Sequence, residues 1–330
     1  MIEATQVVKT FRHPVVKEGA FAGLRALFAR DYRETTAVAG LTFAIGRGEF
    51  VGCIGPNGAG KSTTIKMLAG ILHPTSGEVR IGGRSPQRER RRVAERIGVV
   101  FGQRSQLWWD LPVRDSYEVL AAMYKVELSA YRRRLAELAE LLQLAEIMDQ
   151  PVRKCSLGQR MRADLAAALL HDPDVLFLDE PTIGLDAFAK QRIREFLKTL
   201  NRERGTTILL TTHDMDDVEA LCSRVMVVSG GSLAFDGALA ELRGRIGLPS
   251  RMELTFAAEP VVPEGAGDGE IAIEGIEGRR ATLSFRRERI KPMRVLDAAS
   301  AWGDIVDIHM EEPELEDVIR RIYSGATKER

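Results

Sequence analysis

The chain has 330 residues, of which 45% are hydrophobic, so it exceeds the usual span of one domain and predicts a large domain with an appendage. Lysine plus arginine and aspartate plus glutamate both total 47, and this balance gives no support for a dedicated nucleic-acid surface. The three cysteines lie far apart and fit neither a disulfide framework nor a paired metal site, which favours a reducing compartment.

The sequence also bears on membrane contact. No apolar run approaches the roughly 20 residues that a bilayer-spanning helix needs. The first residues lack the pattern of a secretory signal. We therefore expect a cytoplasmic protein, in which any membrane role comes through a partner.

The first 34 residues combine a strand pattern with an unusual stretch. Ile2 to Phe11 is predicted to be a strand that ends on an aromatic residue. From Arg12 to Glu34, apolar residues share one helical face and arginines lie off it, so this stretch is either a helix packed on its own domain or a surface that docks on a partner or a membrane. The apolar residues are Phe21, Leu24, Leu27 and Phe28, and the arginines are Arg25, Arg30 and Arg33.

A glycine-rich loop follows an apolar strand pattern at 50–54. Residues 55–62 fit G-x-x-x-x-G-K-[ST] and precede a helical pattern, the context in which this motif binds phosphate rather than forming a chance turn. Its glycines let backbone N–H groups point at an anion, and the helix adds the positive end of its dipole. We expect Lys61 to neutralise the β- and γ-phosphates and Ser62 to bind Mg²⁺. The predicted nucleotide-binding residues here are Gly55, Pro56, Asn57, Gly58, Ala59, Gly60, Lys61, Ser62 and Thr63.

The elements that follow alternate between strands and helices, which predicts a parallel sheet covered by helices. The strands are predicted at 41–45, 50–54, 78–81, 97–101, 175–178, 207–211 and 225–228, and the helices within 111–170 and over 189–204. After about residue 243, short strands and helices around a Pro/Gly/acidic loop predict a small α+β tail. We find no catalytic constellation in that tail.

Polar residues close three of these strands. Asp179 and Glu180 follow the strand at 175–178, where Asp179 would hold Mg²⁺ and Glu180 would orient the attacking water, unless the pair is an ordinary helix cap. His213 closes the next strand, in the position of a γ-phosphate sensor. Gln103 closes another, from which its side chain could reach both the metal and the water. Taken singly, His213 and Gln103 could be surface residues.

Residues 154–162 (KCSLGQRMR) open a helix with a Ser/Gly loop, which either binds an anion or is simply capped by Ser156. This signature, the loop at 55–62 (Walker A), Gln103, Asp179 with Glu180 (Walker B), Asp186 and His213 together resemble the ATP-binding subunit of an ABC transporter. The resemblance covers about residues 1 to 240. It implies an α/β, P-loop NTPase fold with a parallel sheet core, an antiparallel β subdomain and a helical subdomain at about 105–165, in a domain of residues 1–243. Residues 244–330 would form the α+β accessory domain.

The resemblance also implies partners and cofactors, namely ATP, Mg²⁺ and a second copy of the chain. Two such domains stack head to tail, so the signature of one chain would cap the γ-phosphate held by Lys61 of the other, and Asp186 would communicate across the dimer. The signature residues are Ser156, Leu157, Gly158 and Gln159. An aromatic residue stacks on adenine in this family; Phe11 fits first, and Tyr32 stays open because of the long stretch after Phe11.

Trp108 and Trp109 lie where the family's helical subdomain receives a membrane permease. They are either an interface anchor or packed inside the subdomain. This run, the form of the signature and the segment 312–318 resemble most the ATPases of ABC-2 type exporters, which implies a peripheral location at the cytoplasmic face of the membrane through permease subunits that contact residues 103–109. The alternatives are a soluble ABC-type ATPase of DNA repair or translation, and one in a non-transport membrane complex.

Overall fold

The computed structural model describes residues 1–14, 32–102, 104–246, 249–263, 266, 269–287, 289–311 and 315–326. The chain divides into two compact units, Met1–Asp236 and Gly237–Arg330. The sequence places the domain boundary slightly later, between residues 243 and 244. The predicted limits, 1–243 and 244–330, therefore stay a prediction.

The described residues form the following strands and helices. The strands are β1 (Ile2–Pro14), β2 (Tyr32–Ile45), β3 (Phe50–Ile54), β4 (Ser76–Ile81), β5 (Ile97–Phe101), β6 (Val175–Asp179), β7 (Thr207–Thr211), β8 (Arg224–Ser229), β9 (Ser232–Ala238), β10 (Ser250–Phe256), β11 (Ile271–Glu277), β12 (Arg280–Phe285) and β13 (Ile305–Glu311). The helices are α1 (Lys61–Leu68), α2 (Arg90–Ala94), α3 (Val113–Met123), α4 (Leu128–Leu141), α5 (Leu157–Leu169), α6 (Ala187–Arg204), α7 (Met215–Leu221), α8 (Leu239–Ile246), α9 (Pro292–Ser300) and α10 (Leu315–Ala326). None of these helices is long and apolar enough to cross a bilayer.

The sheet that carries the candidate site has the strand order β5-β6-β7-β3-β8-β9. Strands β3 and β5 to β8 pair in parallel. Strand β7 is buried along its whole length, as β3 is, because a parallel sheet covered on both faces requires continuous apolar strands. Asp179 pairs with Thr211, and Thr211 pairs with Cys53. The carboxyl ends of β6, β7 and β3 therefore lie side by side.

A second, antiparallel sheet corrects the prediction for the N-terminal stretch. Its order is β2-β1-β4, and β1 continues past Phe11 to Pro14, which pairs with Tyr32. Arg12 pairs with Glu34, and their side chains form an ion pair at 2.7 Å. Residues 12–14 and 32–34 are therefore strands, and the predicted helix over 12–34 is wrong at both ends. Pairing in a hairpin is favoured because it satisfies the backbone N–H and C=O groups of both strands. Residues 15–31, including Phe21, Leu24, Leu27 and Phe28, lie outside the described residues.

The second unit contains a four-stranded antiparallel sheet in the order β11-β12-β10-β13. Its core joins inward-facing residues of β10 and β12 to helix α9: Leu254, Phe256, Leu283, Phe285, Val295 and Trp302 are all buried. Strands β9 and β11 were not predicted from the sequence. Strand β11 contains Glu274, Gly275 and Glu277, residue types that are depleted in strands, and most of its residues are exposed.

The burial of β6 gives a stability prediction. Phe177 is fully buried in the core of the first unit, whereas Phe188 at the start of α6 is 66% exposed. We expect Phe177→Ala to lower the free energy of unfolding by about 3–5 kcal/mol through the lost apolar contacts and the cavity, and Phe188→Ala to change it by less than about 1 kcal/mol. Urea unfolding followed by circular dichroism measures both. Equal midpoints for the two variants would contradict the burial of β6.

Candidate active site

The glycine-rich loop joins β3 to α1 and leaves the first turn of α1 without a side-chain cap. Gly60 has φ 101°, and a Cβ atom there would lie 2.3 Å from the Ala37 carbonyl oxygen, so glycine is required. Helices α5, α6 and α7 are capped by Ser156, Asp186 and Asp214, but α1 has neither a side-chain cap nor an acidic residue in its first turn. The N–H groups at the start of α1 therefore stay available to an anion.

The Lys61 ammonium group lies within the curl of this loop. The residue is buried, and its Nζ donates hydrogen bonds to the carbonyl oxygens of Gly55 at 2.6 Å and Pro56 at 3.1 Å. An ammonium group has three donors, so these two bonds leave one. That remaining donor and the positive charge suit a phosphate oxygen bound in the same loop.

Oxygen groups from three separate elements meet beside this loop. The Ser62 hydroxyl donates to Asp179 Oδ1 at 2.9 Å, and the Thr211 hydroxyl donates to the same oxygen at 2.6 Å. Hydroxyl and carboxylate oxygens are the ligands that Mg²⁺ prefers, so Ser62 and Asp179 fit the predicted metal. No role for Thr211 was predicted from the sequence. Its position could have indicated one, because Asp179 and Thr211 each end a strand of the same parallel sheet and therefore lie side by side.

Glu180 adopts a backbone conformation that is uncommon for residues other than glycine. Its φ is 54°, and its N–H donates to the Thr211 carbonyl oxygen at 2.9 Å. Gly102 donates its N–H to the Asp179 carbonyl oxygen at 2.8 Å, and a Cβ atom on Gly102 would lie 2.0 Å from the Glu180 carbonyl oxygen. Glycine at 102 thus lets the end of β5 approach the acidic pair. Gln103 lies outside the described residues.

His213 is brought next to Glu180. Its Nδ1 lies 3.5 Å from Glu180 Oε2, and its side chain is the more exposed of the two. The following residue, Asp214, forms ion pairs with Lys190 at 2.5 Å and Arg194 at 3.4 Å, both on α6. Burial acts to raise the pKa of the Asp214 carboxyl, but the bond to Lys190 and the other donors hold it below its ordinary value. This ion-pair cluster, which the sequence did not predict, ties the His213 loop to α6.

The signature residues form hydrogen bonds with one another at the start of α5. Ser156 Oγ accepts from the Gln159 N–H at 3.2 Å, and Gln159 Oε1 accepts from the Ser156 N–H at 2.9 Å, a reciprocal cap. Gln159 Nε2 also donates to Glu146 at 3.4 Å. Leu157 is partly exposed, and a Cβ atom on Gly158 would lie 3.3 Å from Ala189 Cβ.

Asp186 caps helix α6, where its Oδ1 accepts from the Ala189 N–H at 2.8 Å. The structure thus gives Asp186 a local partner within its own helix. Its predicted role between two copies stays a prediction.

Both aromatic residues considered for adenine lie on the β1–β2 hairpin. Phe11 pairs with Thr35, and the Lys9 ammonium lies 5.3 Å from the centre of its ring. Tyr32 is exposed at the far end of the same hairpin, opposite Pro14. The assignment of the adenine contact stays a prediction.

The tryptophan pair lies on the surface. Trp108 is 39% exposed and Trp109 is 51% exposed, so both residues are partly accessible to solvent, which favours the interface alternative. The Arg160 guanidinium group lies 4.6 Å from the centre of the Trp109 ring. Because Arg160 is on α5, this contact connects the tryptophan pair to the helix that starts at the signature.

Comparison with known proteins identifies the family. The family model described as ABC transporter matches residues 38–183. The linearmycin resistance ATP-binding protein LnrL of Bacillus subtilis (strain 168) is 30% identical over 292 residues, which cover 87% of this chain and 93% of that protein. The chain belongs to the ABC transporter ATP-binding proteins.

Other members of the family extend this result. The Nod factor export ATP-binding protein I of Paraburkholderia xenovorans (strain LB400) is 42% identical over 209 residues. These residues cover 63% of this chain and 68% of that protein. A solved dimeric ATP-binding cassette in a post-hydrolysis state with ADP and Pi aligns with a TM-score of 0.61 at 27% identity, covering 72% of this chain and 99% of that one. The predicted family and ABC ATPase fold are confirmed, and nothing supports the repair or translation alternative.

The hydrogen bond from Thr211 to Asp179 gives a prediction for ATP hydrolysis. Thr211→Val keeps the shape of the side chain but removes the donor, and bonds to a charged group contribute about 1.5–3 kcal/mol. We expect kcat for ATP hydrolysis to fall about tenfold or more, and Thr211→Ser to restore most of it. Steady-state phosphate release measures the three proteins. A valine variant as active as wild type would show that Thr211 does not position Asp179.

Proposed function

We propose that this chain is the ATP-hydrolysing subunit of an ABC exporter, in which ATP-driven closure of two copies moves a substrate through separate membrane permease subunits. One observation carries the proposal: Lys61, Ser62, Asp179, Glu180 and His213 are gathered at one edge of the parallel sheet in a member of this family. Export is supported by relatives, one of which is named for Nod factor export. The location follows, at the cytoplasmic face of the membrane through the permease.

Each residue of this edge has a task in hydrolysis. The uncapped N–H groups of α1 and the free donor of Lys61 bind the β- and γ-phosphate oxygens. Ser62 and Asp179 would hold Mg²⁺, which would supply positive charge against the phosphate oxygens. Thr211 keeps Asp179 oriented through its hydroxyl.

Glu180 and His213 act on the attacking water and on the γ-phosphate. The Glu180 carboxylate orients the water and takes its proton as the water oxygen bonds to the γ-phosphorus and the bond to ADP breaks. His213, whose Nδ1 is 3.5 Å from Glu180, contacts a γ-phosphate oxygen. The backbone of Glu180 is held from both sides, by Thr211 and by the close approach of Gly102. The backbone that carries the carboxylate therefore starts from a fixed position.

The second copy supplies the remaining phosphate contacts. Ser156, Leu157, Gly158 and Gln159 of one copy face the phosphates bound by the other, and Asp186 lies between the two copies. In the single chain the polar groups of this segment bond to each other and to Glu146. Closure exchanges some of these bonds for bonds to ATP, so ATP holds the two copies together until hydrolysis removes the bridging phosphate.

The permease docks on the tryptophan surface, which consists of Trp108, Trp109 and Leu111, exposed residues that are close together in sequence. Several large apolar side chains on one surface are typical of a protein interface. The proposed occupant is an apolar segment of the permease at the cytoplasmic side of the membrane. When the permease docks and Trp109 moves, the stacked Arg160 side chain moves with it and so displaces α5.

The role of Glu180 predicts the behaviour of a single variant. Glu180→Gln keeps the size and hydrogen-bonding capacity of the side chain but removes the base, so we expect hydrolysis to fall by about 10²-fold or more while ATP binding persists. With ATP this variant should elute as a dimer in size-exclusion chromatography. Glu195→Gln, an exposed glutamate on α6, is the matched control and should hydrolyse ATP at the wild-type rate. Hydrolysis by Glu180→Gln at the control's rate would refute the assigned base.

The exposed tryptophan surface predicts how the chain reaches the membrane. Trp109→Ala removes the largest exposed ring of this surface and its contact with Arg160, so we expect much less of the variant to remain with washed membranes of the cell that encodes it. Quantitative immunoblotting of membrane and supernatant fractions measures this. Met293→Ala, which removes an exposed apolar side chain of the second unit, should leave the distribution unchanged. Equal retention of both variants would place the docking surface elsewhere.

A further inference from the structure

A buried carboxyl group lies in the middle of helix α5, and the mechanism above does not use it. Asp164 is 4% exposed and follows the signature by two turns of the helix. Its Oδ1 accepts hydrogen bonds from the Ser105 hydroxyl at 2.9 Å and from the Gln106 N–H at 3.0 Å. These donors belong to the segment between the end of β5 and the tryptophan pair.

The same residue makes a third bond to this segment through its backbone. Gln106 Nε2 donates to the Asp164 carbonyl oxygen at 3.0 Å. The Ser105 oxygen in turn accepts from the Leu107 N–H at 3.1 Å, so the local turn of the segment depends on Ser105 as well. Residues 105–107 are thereby fixed to one position of α5. Bonds to an ionised carboxylate are about twice as strong as those between neutral groups.

Packing alone does not explain a carboxyl group at this position. Burial raises the pKa of Asp164 to about 6, although the bonds from Gln106 and Ser105 and the charge of Arg160 act to lower it. Burial, and after it the charge of Asp164, raises the pKa of Tyr117 well above its ordinary value. Because the folded-state pKa lies above the ordinary value of 3.8, ionising Asp164 reduces the stability of the folded chain as the pH rises through about 6. An apolar residue would be favoured here if packing were the only requirement.

Two further contacts attach the same face of α5 to residues 109–117. Arg160, four residues before Asp164, stacks on Trp109, and the Tyr117 hydroxyl donates to the Ala163 carbonyl oxygen at 3.1 Å. With Asp164, helix α5 therefore contacts the segment 105–117 at three neighbouring positions, 160, 163 and 164. Among the described residues of α5, Asp164 is the one whose hydrogen bonds reach residues 105–107, which lie between β5 and the tryptophan pair.

We propose that Asp164 is a positioning residue for ATP hydrolysis, which holds residues 105–107 on the signature helix so that the tryptophan surface and Ser156 move together when ATP binds. The proposal rests on the proposed transport ATPase function. It adds to the contact between Arg160 and Trp109 a second connection between the membrane-facing surface and the phosphate-capping segment, made by Asp164 and its two donors, Ser105 and Gln106.

Kinetics and tryptophan emission of the full chain test this connection. The chain has three tryptophans, and Trp302 lies in the second unit, so a Trp302→Phe background leaves Trp108 and Trp109 as the emitting groups. In this background we expect Asp164→Ala to lower kcat about tenfold, with KM for ATP within about twofold. We expect the emission of the Trp302→Phe chain to change when ATP and Mg²⁺ are added. With Asp164→Ala in the same chain, this change should be less than about a third as large.

Two other variants keep the test decisive. Asp164→Asn retains an acceptor for both donors, so it should keep kcat within about threefold of the background and lose no thermal stability at pH 8. Ser105→Ala removes one of the two hydrogen-bond donors to the Asp164 carboxylate, so it should reduce kcat less than Asp164→Ala does. The double variant Asp164→Ala with Ser105→Ala should lose less kcat than the sum of the two single losses, because the two groups share one hydrogen bond.

The outcomes separate this inference from the proposed function. If the background chain hydrolyses ATP but Asp164→Ala equals it in kcat and emission change, or Asp164→Asn is as impaired as Asp164→Ala, the inference is wrong and the ATPase function stands. Additive losses from Asp164→Ala and Ser105→Ala, or an emission that ignores ATP in the background chain, would also overturn the inference. A background chain that does not hydrolyse ATP would refute the proposed function itself.

Discussion

The hydrogen bond between the Ser62 hydroxyl and Asp179 is the contact on which the rest of the candidate site depends. It joins the start of α1 to the end of β6 across 117 residues of sequence. The bond is possible because β3, β7 and β6 are parallel neighbours whose carboxyl ends coincide. Thr211, from the strand between them, bonds to the same carboxylate oxygen. The order of strands in one sheet therefore places the phosphate loop, the proposed metal ligands and the proposed base at a single edge.

The signature segment is organised in a different way from this edge. The residues of the catalytic edge are held by the pairing of β3, β7 and β6 in one sheet. Ser156 and Gln159 instead form their hydrogen bonds with each other and with Glu146. Exchanging these few exposed bonds for bonds to a phosphate requires no rearrangement of the core. Helix α5 carries the signature at one end and contacts residues 105–117 along its side. A rigid catalytic edge and a signature helix attached to an exposed apolar surface are the two parts that an ATP-driven transporter subunit needs.

Much of this arrangement could be predicted from the sequence because the motifs are local. The loop at 55–62 and the acidic pair at 179 and 180 each follow an apolar strand, and that order alone indicates where they meet. Thr211, Asp164 and the cluster of Lys190, Arg194 and Asp214 were missed, since their roles come from pairing between distant elements. The amphipathic spacing after Phe11 suggested a helix, but the flanks pair as β1 and β2, because a hairpin satisfies backbone groups whatever the helical period of the side chains.

The central claim is that each chain holds half of a catalytic centre and that ATP completes it between two copies. Its most direct test uses differently tagged chains, one with Asn57→Cys beside Lys61 and the other with Leu157→Cys beside Ser156, both exposed positions. Both chains carry Glu180→Gln to prevent turnover and Cys155→Ser to remove the native thiol next to Ser156; the other two cysteines are buried, as Cys155 is. We predict that a short thiol crosslinker joins the two tags when ATP and Mg²⁺ are added, and not without nucleotide. Equal crosslinking with and without ATP, or none in its presence, would contradict the account.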